Sequence, residues 1–413
     1  MRIGLFLIQF PAPSETFIVT KVIGLLAAGV DVRIFTAHAS PHWERFEILK
    51  GRDDIRRRVR VLPPADSIWK AIVTGMPRLI GAAIRCPFAF LRYVRHNWRH
   101  RHQNPLGFWR ALYLRSPFVG QQLDILHIEF DSQGAHLVDL KEYFNCKLLL
   151  SSRDVMQRVS TFYSVPDLPA RLFRFADGYH VLAEWLRGNL LNLGLSSRVL
   201  VRIIPPAIDV DLFAPSPRPT AHPLTPSPQP LEILSVGRIA WAKGYEFAID
   251  AVRQMRDAGV TVHYTILGAG PYEEAIHFAA RQNGLLQNGT VTFAGAVGRE
   301  ATTAYYRQSD IFLHAALEEG FCNAVIEAQA MALPVVTSDA NGLPENVADG
   351  VTGFVVPRRD PQALADKLLL LARDPKLRAR LGQAGRERAI THFNLRNYTP
   401  QFLQLYQDVL ASR

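Results

Sequence analysis

LEEGFCNAVIEAQAMALPVVTSD, residues 317 to 339, decides the reading of this chain. Two acids lead through a Gly-Phe-Cys-Asn corner into an alanine-rich segment of helical character, and an apolar run of strand character closes the stretch. A carboxylate just ahead of a helix is favoured by the helix dipole by about 0.3–1 kcal/mol, so Glu318 or Glu319 reads as a cap. Glu327 does not fit that reading. If both were helical, Glu319 and Glu327 would differ in direction by roughly 80°, which lets both border one pocket. The rest of the chain has to choose between cap and pocket.

At 413 residues the chain exceeds one ordinary core and predicts two domains of about 200 residues each. Hydrophobic residues at 48% and charged ones at 20% describe a globular protein. Cys86, Cys146 and Cys322 are odd in number and scattered, so no disulfide framework is expected and a reducing, cytoplasmic compartment fits. The opening MRIGLFLIQFPAPSE reads as a strand and not a secretion signal, because Pro11 and Pro13 follow and no small-residue cleavage site does. The best candidate for a membrane span, Ile68 to Leu91, is broken by Lys70, Arg78 and Arg85 and falls short of about 18 uninterrupted apolar residues. The formal charge of +10 points to an anionic partner: nucleic acid, a phosphorylated substrate or a lipid surface.

Ile3 to Ile8 reads as a buried strand, and Ser14 is placed to cap a helix whose apolar positions Phe17, Ile18, Val22, Leu25 and Leu26 recur at helical spacing. VDVRIFTA, LDILHIEF, KLLLSS, GYHVL and RVLVRII follow as strand candidates. Residues 214–230, APSPRPTAHPLTPSPQP, carry proline at nearly every second or third position and read as a stiff linker. Beyond it the alternation restarts: LEILSVG strand, YEFAIDAVRQMRDAG helix, TVHYTILG strand, YEEAIHFAARQNG helix, VTFAG and DIFLHAA as consecutive strands, the Glu327 helix, then PVVTSD. Strands alternating with helices predict an α/β chain of two doubly wound domains, 1–213 and 231–395, with ligands outside the carboxyl ends of the strands in a cleft.

Three corners of the second half fall at such strand ends. Gly237-Arg238 with Lys243 places two cations after a strand and before a helix, the arrangement a diphosphate needs; charge-assisted bonds to phosphate are worth about 1.5–3 kcal/mol each. The alternative is a pair of solvated loop cations. Gly268 and Gly270 either let the backbone approach a ligand or serve a tight strand-to-helix turn. The third glycine of a dinucleotide fingerprint is missing, as is an acid about 20 residues on, so a nicotinamide cofactor is not expected. At the third corner the N–H groups of Phe321, Cys322 and Asn323 are expected as free donors, with Glu319 accepting from sugar hydroxyls and Glu327 from a ribose diol. Phosphate clamp, close-approach loop and polyol reader together describe a nucleotide-sugar site.

The run VGRIAWAKGYEFAIDAV, then ILGAGPYEE, then VTFAGAVGREATTAYYRQSDIFLHAALEEGFCNAVIEAQAMALPVVTSDANGLPENVADGVTGFVVPRRDPQALA resembles the nucleotide-binding half of family 4 glycosyltransferases of the GT-B fold, over residues 231 to about 395. That resemblance implies two Rossmann-like domains facing a cleft, with a final helix, 396–413, crossing back to the first. It places Glu319 on the donor sugar, Glu327 on the ribose, Arg238 and Lys243 on the diphosphate, and Val297 beside the base. It further implies retention of anomeric configuration, with no bound metal and no cofactor beyond the donor itself. No Asp-X-Asp stands at a plausible strand end. The amino half is similar to colanic-acid and other exopolysaccharide glycosyltransferases: FPAPSETFI supplies Ser14, Glu15 and Thr16, and LDILHIEFD holds His127 and Glu129 where relatives usually carry two histidines. Ser152 and Arg153 stand where many relatives have a His-Gly on the donor sugar. The acceptor implied is a saccharide or a lipid-linked oligosaccharide. A nucleotide-sugar epimerase of the same fold and an inactive nucleotide-sugar-binding protein are the rival readings.

Between about residues 52 and 115 the family pattern lapses, and LRYVRHNWRHRHQNPLGFWRALYLRS crowds cations with aromatics. Residues 67 to 115 are expected either to pack as a charged helical insertion or to dock on an anionic inner leaflet as a peripheral membrane surface. No recognised nucleic-acid module accompanies them, so nucleic acid is not an expected partner. His263, His277, His96, His100 and His102 lack carboxylates or cysteines at zinc spacing, and no metal site is predicted. Cys322 is expected as a small packed residue, and His314 ends a strand near the pocket.

Overall fold

The computed structural model describes residues 1–12, 15–64, 67–100, 105–153, 167–215 and 230–412. Ser14, and residues 216–229 of the proline-rich linker, lie outside them. The chain divides into two compact units, Met1–Val181 with Arg187–Ile204 and Thr399–Arg413, and Leu182–Leu186 with Pro205–Tyr398.

In the first unit, seven strands form one parallel sheet: β1 (Arg2–Phe10), β2 (Asp31–Ala39), β3 (Val59–Val61), β4 (Ile125–Ile128), β5 (Lys147–Ser152), β6 (Gly178–Val181) and β7 (Leu200–Ile203), in the order β3-β2-β1-β4-β5-β6-β7. Central strands of a parallel sheet are covered on both faces, which is why β4, ILHI, is buried at every position. The order reverses between β1 and β4. Their carboxyl ends carry Phe10 and Ile128, so the segments holding Glu15 and Glu129 leave the sheet at its switch point. Helix Tyr398–Ala411 packs on this sheet: Tyr406 Oη lies 2.9 Å from His127 Nδ1, and a Cβ on Gly24 would stand 2.1 Å from Thr399 Oγ1.

The second unit repeats the plan with six parallel strands, β8 (Leu231–Val236), β9 (Val262–Leu267), β10 (Val291–Gly295), β11 (Ile311–His314), β12 (Val335–Ser338) and β13 (Gly353–Val356), ordered β10-β9-β8-β11-β12-β13. The reversal lies between β8 and β11, so Gly237 and His314 stand at neighbouring strand ends. One helix, Arg299–Gln308, stands between β10 and β11 where the sequence pattern predicts none. Among its described side chains only Thr303 and Tyr306 are buried, so no apolar stripe announces it.

Helix Asn323–Ala330 is the alanine-rich segment of the opening stretch. Val325, Ile326, Ala328 and Gln329 are buried, Ala332 turns left-handed at φ 58° to end the helix, and Pro334 prevents its resumption. Glu319 is not part of it, so the helical-wheel relation to Glu327 does not hold.

Candidate functional site

At the switch point of the second unit, β8 runs into Gly237 and Arg238, a short turn carries Trp241–Lys243, and Gly244 turns left-handed at φ 60° to open helix Tyr245–Asp257. A Cβ on Gly244 would stand 2.1 Å from the Ala315 carbonyl oxygen. This close packing of the β8 exit on the β11 exit brings Lys243 to Glu319: the ammonium contacts Glu319 Oε2 directly, with side chains 19% and 14% exposed. His314 Nε2 approaches the same oxygen at 3.3 Å. Arg238 is exposed beside them.

The electrostatics follow from this crowding. Burial pushes the Glu319 carboxyl up, but Lys243 and His314 hold it at about 2. Burial also pushes Lys243 down, and Glu319 more than reverses that. For His314, burial lowers the imidazole while Cys322 and Glu319 raise it to about 9. Near neutral pH the cluster therefore presents one carboxylate between two cations. A histidine whose folded value is raised contributes stability fully below its ordinary 6.5 and loses it as pH climbs to about 9. The gap in stability between wild type and His314→Gln is therefore expected to be widest below pH 6.5, and to shrink by up to ~3 kcal/mol on passing pH 9. Thermal melts across that range check this; a gap independent of pH would contradict it.

Other expected contacts fall differently. Cys322 N–H is not free: it donates to Asn346 Oδ1 at 3.3 Å, and Asn346 Nδ2 returns a bond to the Cys322 carbonyl at 3.2 Å. Phe321 packs edge-on against Phe393 at 5.6 Å. Glu327 accepts from Tyr306 Oη at 3.0 Å, and that phenol feels both Glu327 and Cys322. The side-chain space that Gly268 and Gly270 leave open is filled by the loop from β8, since their Cβ atoms would stand 1.9 Å from Gly237 O and 2.1 Å from Ile239 O. Gly270 N–H donates to Glu273 at 2.7 Å. These two glycines shape the corner through backbone packing. Val297 is exposed in the loop after β10. No sequence signal marks Asn346 or Tyr306; each meets its partner across about twenty residues, and only the fold joins them.

In the first unit, His127 is fully buried, with Nδ1 on Tyr406 and Nε2 2.8 Å from Ser151 Oγ. Both ring nitrogens are thus engaged, which takes it away from a ligand and into the core. Arg153 donates to Glu129 through Nη2 at 2.8 Å and Nε at 3.1 Å, and lies over the Phe17 ring at 4.6 Å. Lys21 holds the other carboxylate oxygen of Glu129. Burial pushes Glu129 up, but His127, Lys21 and Arg153 hold it well below the usual range. The two departures from the family pattern are therefore partners of one another. Glu15 stands nearby, raised to about 7 by burial, with Glu129 adding to the shift and Arg153 opposing it; Thr16 opens helix Thr16–Ala27.

Two groups of side chains have metal-ligand chemistry among the described residues, each with its donor atoms within 4.8 Å: His314, Glu319 and Cys322, and His96, His100 and Glu142. At the first, the Lys243 ammonium already occupies the carboxylate, a poor setting for a second cation. In the second, Glu142 is the carboxylate that sequence spacing does not show, and the rings are committed to Asp139 and Glu142 at 3.2 and 2.8 Å.

Residues 221–388 match the family model described as "Glycosyl transferases group 1". The chain is 26% identical over 98% of its length to all of WcaL of Escherichia coli K12, named as a colanic acid biosynthesis glycosyltransferase. It is 28% identical over 95% of its length to 96% of AmsK of Erwinia amylovora, named as an amylovoran biosynthesis glycosyltransferase. The chain is a glycosyltransferase with a group 1 domain. Among solved structures, Anabaena HepE in complex with UDP-glucose superposes with a TM-score of 0.71 at 15% identity, covering 99% of this chain and 100% of that one. Sucrose-phosphate synthase of Thermosynechococcus elongatus superposes at 0.68 and 21% identity over the whole of both chains. The fold of this glycosyltransferase is GT-B, with two Rossmann-like units.

Proposed function

We propose that the enzyme is a family 4 glycosyltransferase that moves a sugar from a nucleoside diphosphate sugar to a saccharide acceptor, with retention of anomeric configuration and without a metal. The acceptor we assign is lipid-linked, in bacterial surface polysaccharide assembly at the inner face of the cytoplasmic membrane. The observation that carries this reading is the Lys243–Glu319 pair at the switch point of the second unit, flanked by His314 and Arg238. An arriving diphosphate offers Lys243 two negative charges in place of one carboxylate, so the ammonium swings to phosphate and frees Glu319 to accept from the sugar hydroxyls. Lys243 and Arg238 then neutralise the departing diphosphate, the work a metal would otherwise perform. Glu319 orients the sugar and does not attack it. Glu327, aimed by Tyr306, takes the ribose diol, and Val297 borders the base. The names of WcaL and AmsK support the polysaccharide setting, and the UDP-glucose bound to HepE supports the donor class.

Product analysis by NMR in EDTA tests the reading. Release of free nucleoside diphosphate, together with a glycoside of the donor's own anomeric configuration, is the expected result. An inverted product, or turnover that stops in EDTA and returns with a divalent cation, would refute it. An altered nucleotide sugar without free nucleotide would indicate the epimerase, and donor binding without any product the inactive binder.

A further inference from the structure

Helix Ile68–Arg85 is apolar on two faces. Ala71, Gly75 and Leu79, four residues apart, are buried, and a Cβ on Gly75 would stand 2.9 Å from the Tyr113 carbonyl oxygen. Trp69, Val73, Met76, Ile80 and Ile84 lie on the opposite side, within an arc of roughly 80° at about 100° per residue. They are bare: Trp69 is 75% exposed, Val73 71% and Ile84 76%. Helix Pro87–Arg99 continues the theme with Phe88 at 86% and Leu91 at 63%. Scattered apolar exposure is ordinary on a monomer, but a run of large side chains along two consecutive helices marks a surface that something covers.

Charge indicates what that is. From Ser67 to Leu123 the chain holds no Asp or Glu, and Lys70, Arg78, Arg85, Arg92, Arg95 and Arg99 are all exposed on the same two helices. A second copy docked by this face would set like charges together. Nucleic acid would satisfy the cations and leave the apolar stripe in water. A bilayer with anionic headgroups takes both parts, the Trp, Ile and Phe side chains below the headgroups and the guanidinium groups among the phosphates. We propose that this two-helix face docks the enzyme on an anionic lipid bilayer, lying in the interface plane. No helix among the described residues is long and apolar enough to cross a membrane. The docking rests on the lipid-linked acceptor assigned above for its purpose, though not for its chemistry.

Sedimentation of the full chain with phosphatidylcholine vesicles, and with phosphatidylcholine–phosphatidylglycerol vesicles, tests the proposal. Partition onto the anionic vesicles is expected to exceed that onto neutral ones by at least about tenfold, and to fall as salt is raised. Ile80→Asp with Ile84→Asp is expected to abolish it, and Arg95→Gln with Arg99→Gln to lower it by about tenfold or more, while all these variants keep wild-type affinity for the nucleotide-sugar donor. Equal partition onto both vesicles, or unchanged binding by the isoleucine variant, would overturn the proposal. So would a dimer that the same isoleucine substitutions dissociate. Vesicle binding without use of a lipid-linked saccharide would sink the acceptor reading alone; use of that saccharide in detergent without vesicle binding would sink the docking face alone.

Discussion

Replacing Lys243 by Met is expected to lower kcat/KM for transfer by about 10²–10³. Part of the loss shows in binding, since one charge-assisted bond to a diphosphate is worth about 1.5–3 kcal/mol, or roughly tenfold or more in donor affinity. The remainder belongs to the transition state, where charge builds on the leaving diphosphate and the ammonium is most needed. Met keeps the length of the stem, and His314 at 3.3 Å still faces Glu319, so the variant is expected to fold. Steady-state kinetics beside donor titration separate the two contributions. A variant that loses donor affinity but keeps kcat would place Lys243 in ground-state binding only.

Glu129→Gln is expected to cost about 3–5 kcal/mol of stability, the largest structural effect of any single change considered. Lys21 and Glu129 are fully buried and the Arg153 side chain is 4% exposed, so the neutral amide strands two cations away from water. Urea unfolding of wild type and variant measures the loss. Glu142→Gln is the control: that carboxylate is 51% exposed opposite His100, and its removal is expected to change stability by no more than about 0.5 kcal/mol. A Glu129→Gln loss as small as the control would mean that the cluster is hydrated and not a buried ion network.

Much of the fold was legible because parallel strands covered on both faces must read as unbroken apolar runs. KLLLSS and IFLH announce β5 and β11 in this way, and the left-handed glycines Gly29, Gly194, Gly259 and Gly284 mark where four of the helices end. Helix Arg299–Gln308 escaped because two buried side chains make no stripe. In the site, the cations at Arg238 and Lys243 and the acid at Glu319 could be named from chemistry and spacing, since β8 and β11, the strands on either side of the order reversal, both end at the switch point of the sheet. What could not be read were partnerships closed by tertiary contact. Asn346 captures Cys322 N–H, Tyr306 aims Glu327, and Glu129 answers Arg153, each across a separation with no periodicity of its own. Helix placement is equally hidden: a dipole cap at Glu319 requires a helix that starts beside it, yet the helix begins four residues later and leaves that carboxylate to Lys243. The sequence alone set Glu129 and Arg153 apart as separate departures from a family pattern, and the structure makes them one device.

The proposed chemistry requires a nucleotide-sugar donor held in the second unit by these side chains without a metal. Calorimetric titration with UDP-, GDP-, ADP- and dTDP-sugars in EDTA, wild type beside Glu327→Gln, addresses that claim most directly. Tight binding of one donor, unaffected by EDTA and weakened about tenfold or more by the substitution, is the predicted result. Binding that needs a divalent cation, or that Glu327→Gln leaves unchanged, would contradict it.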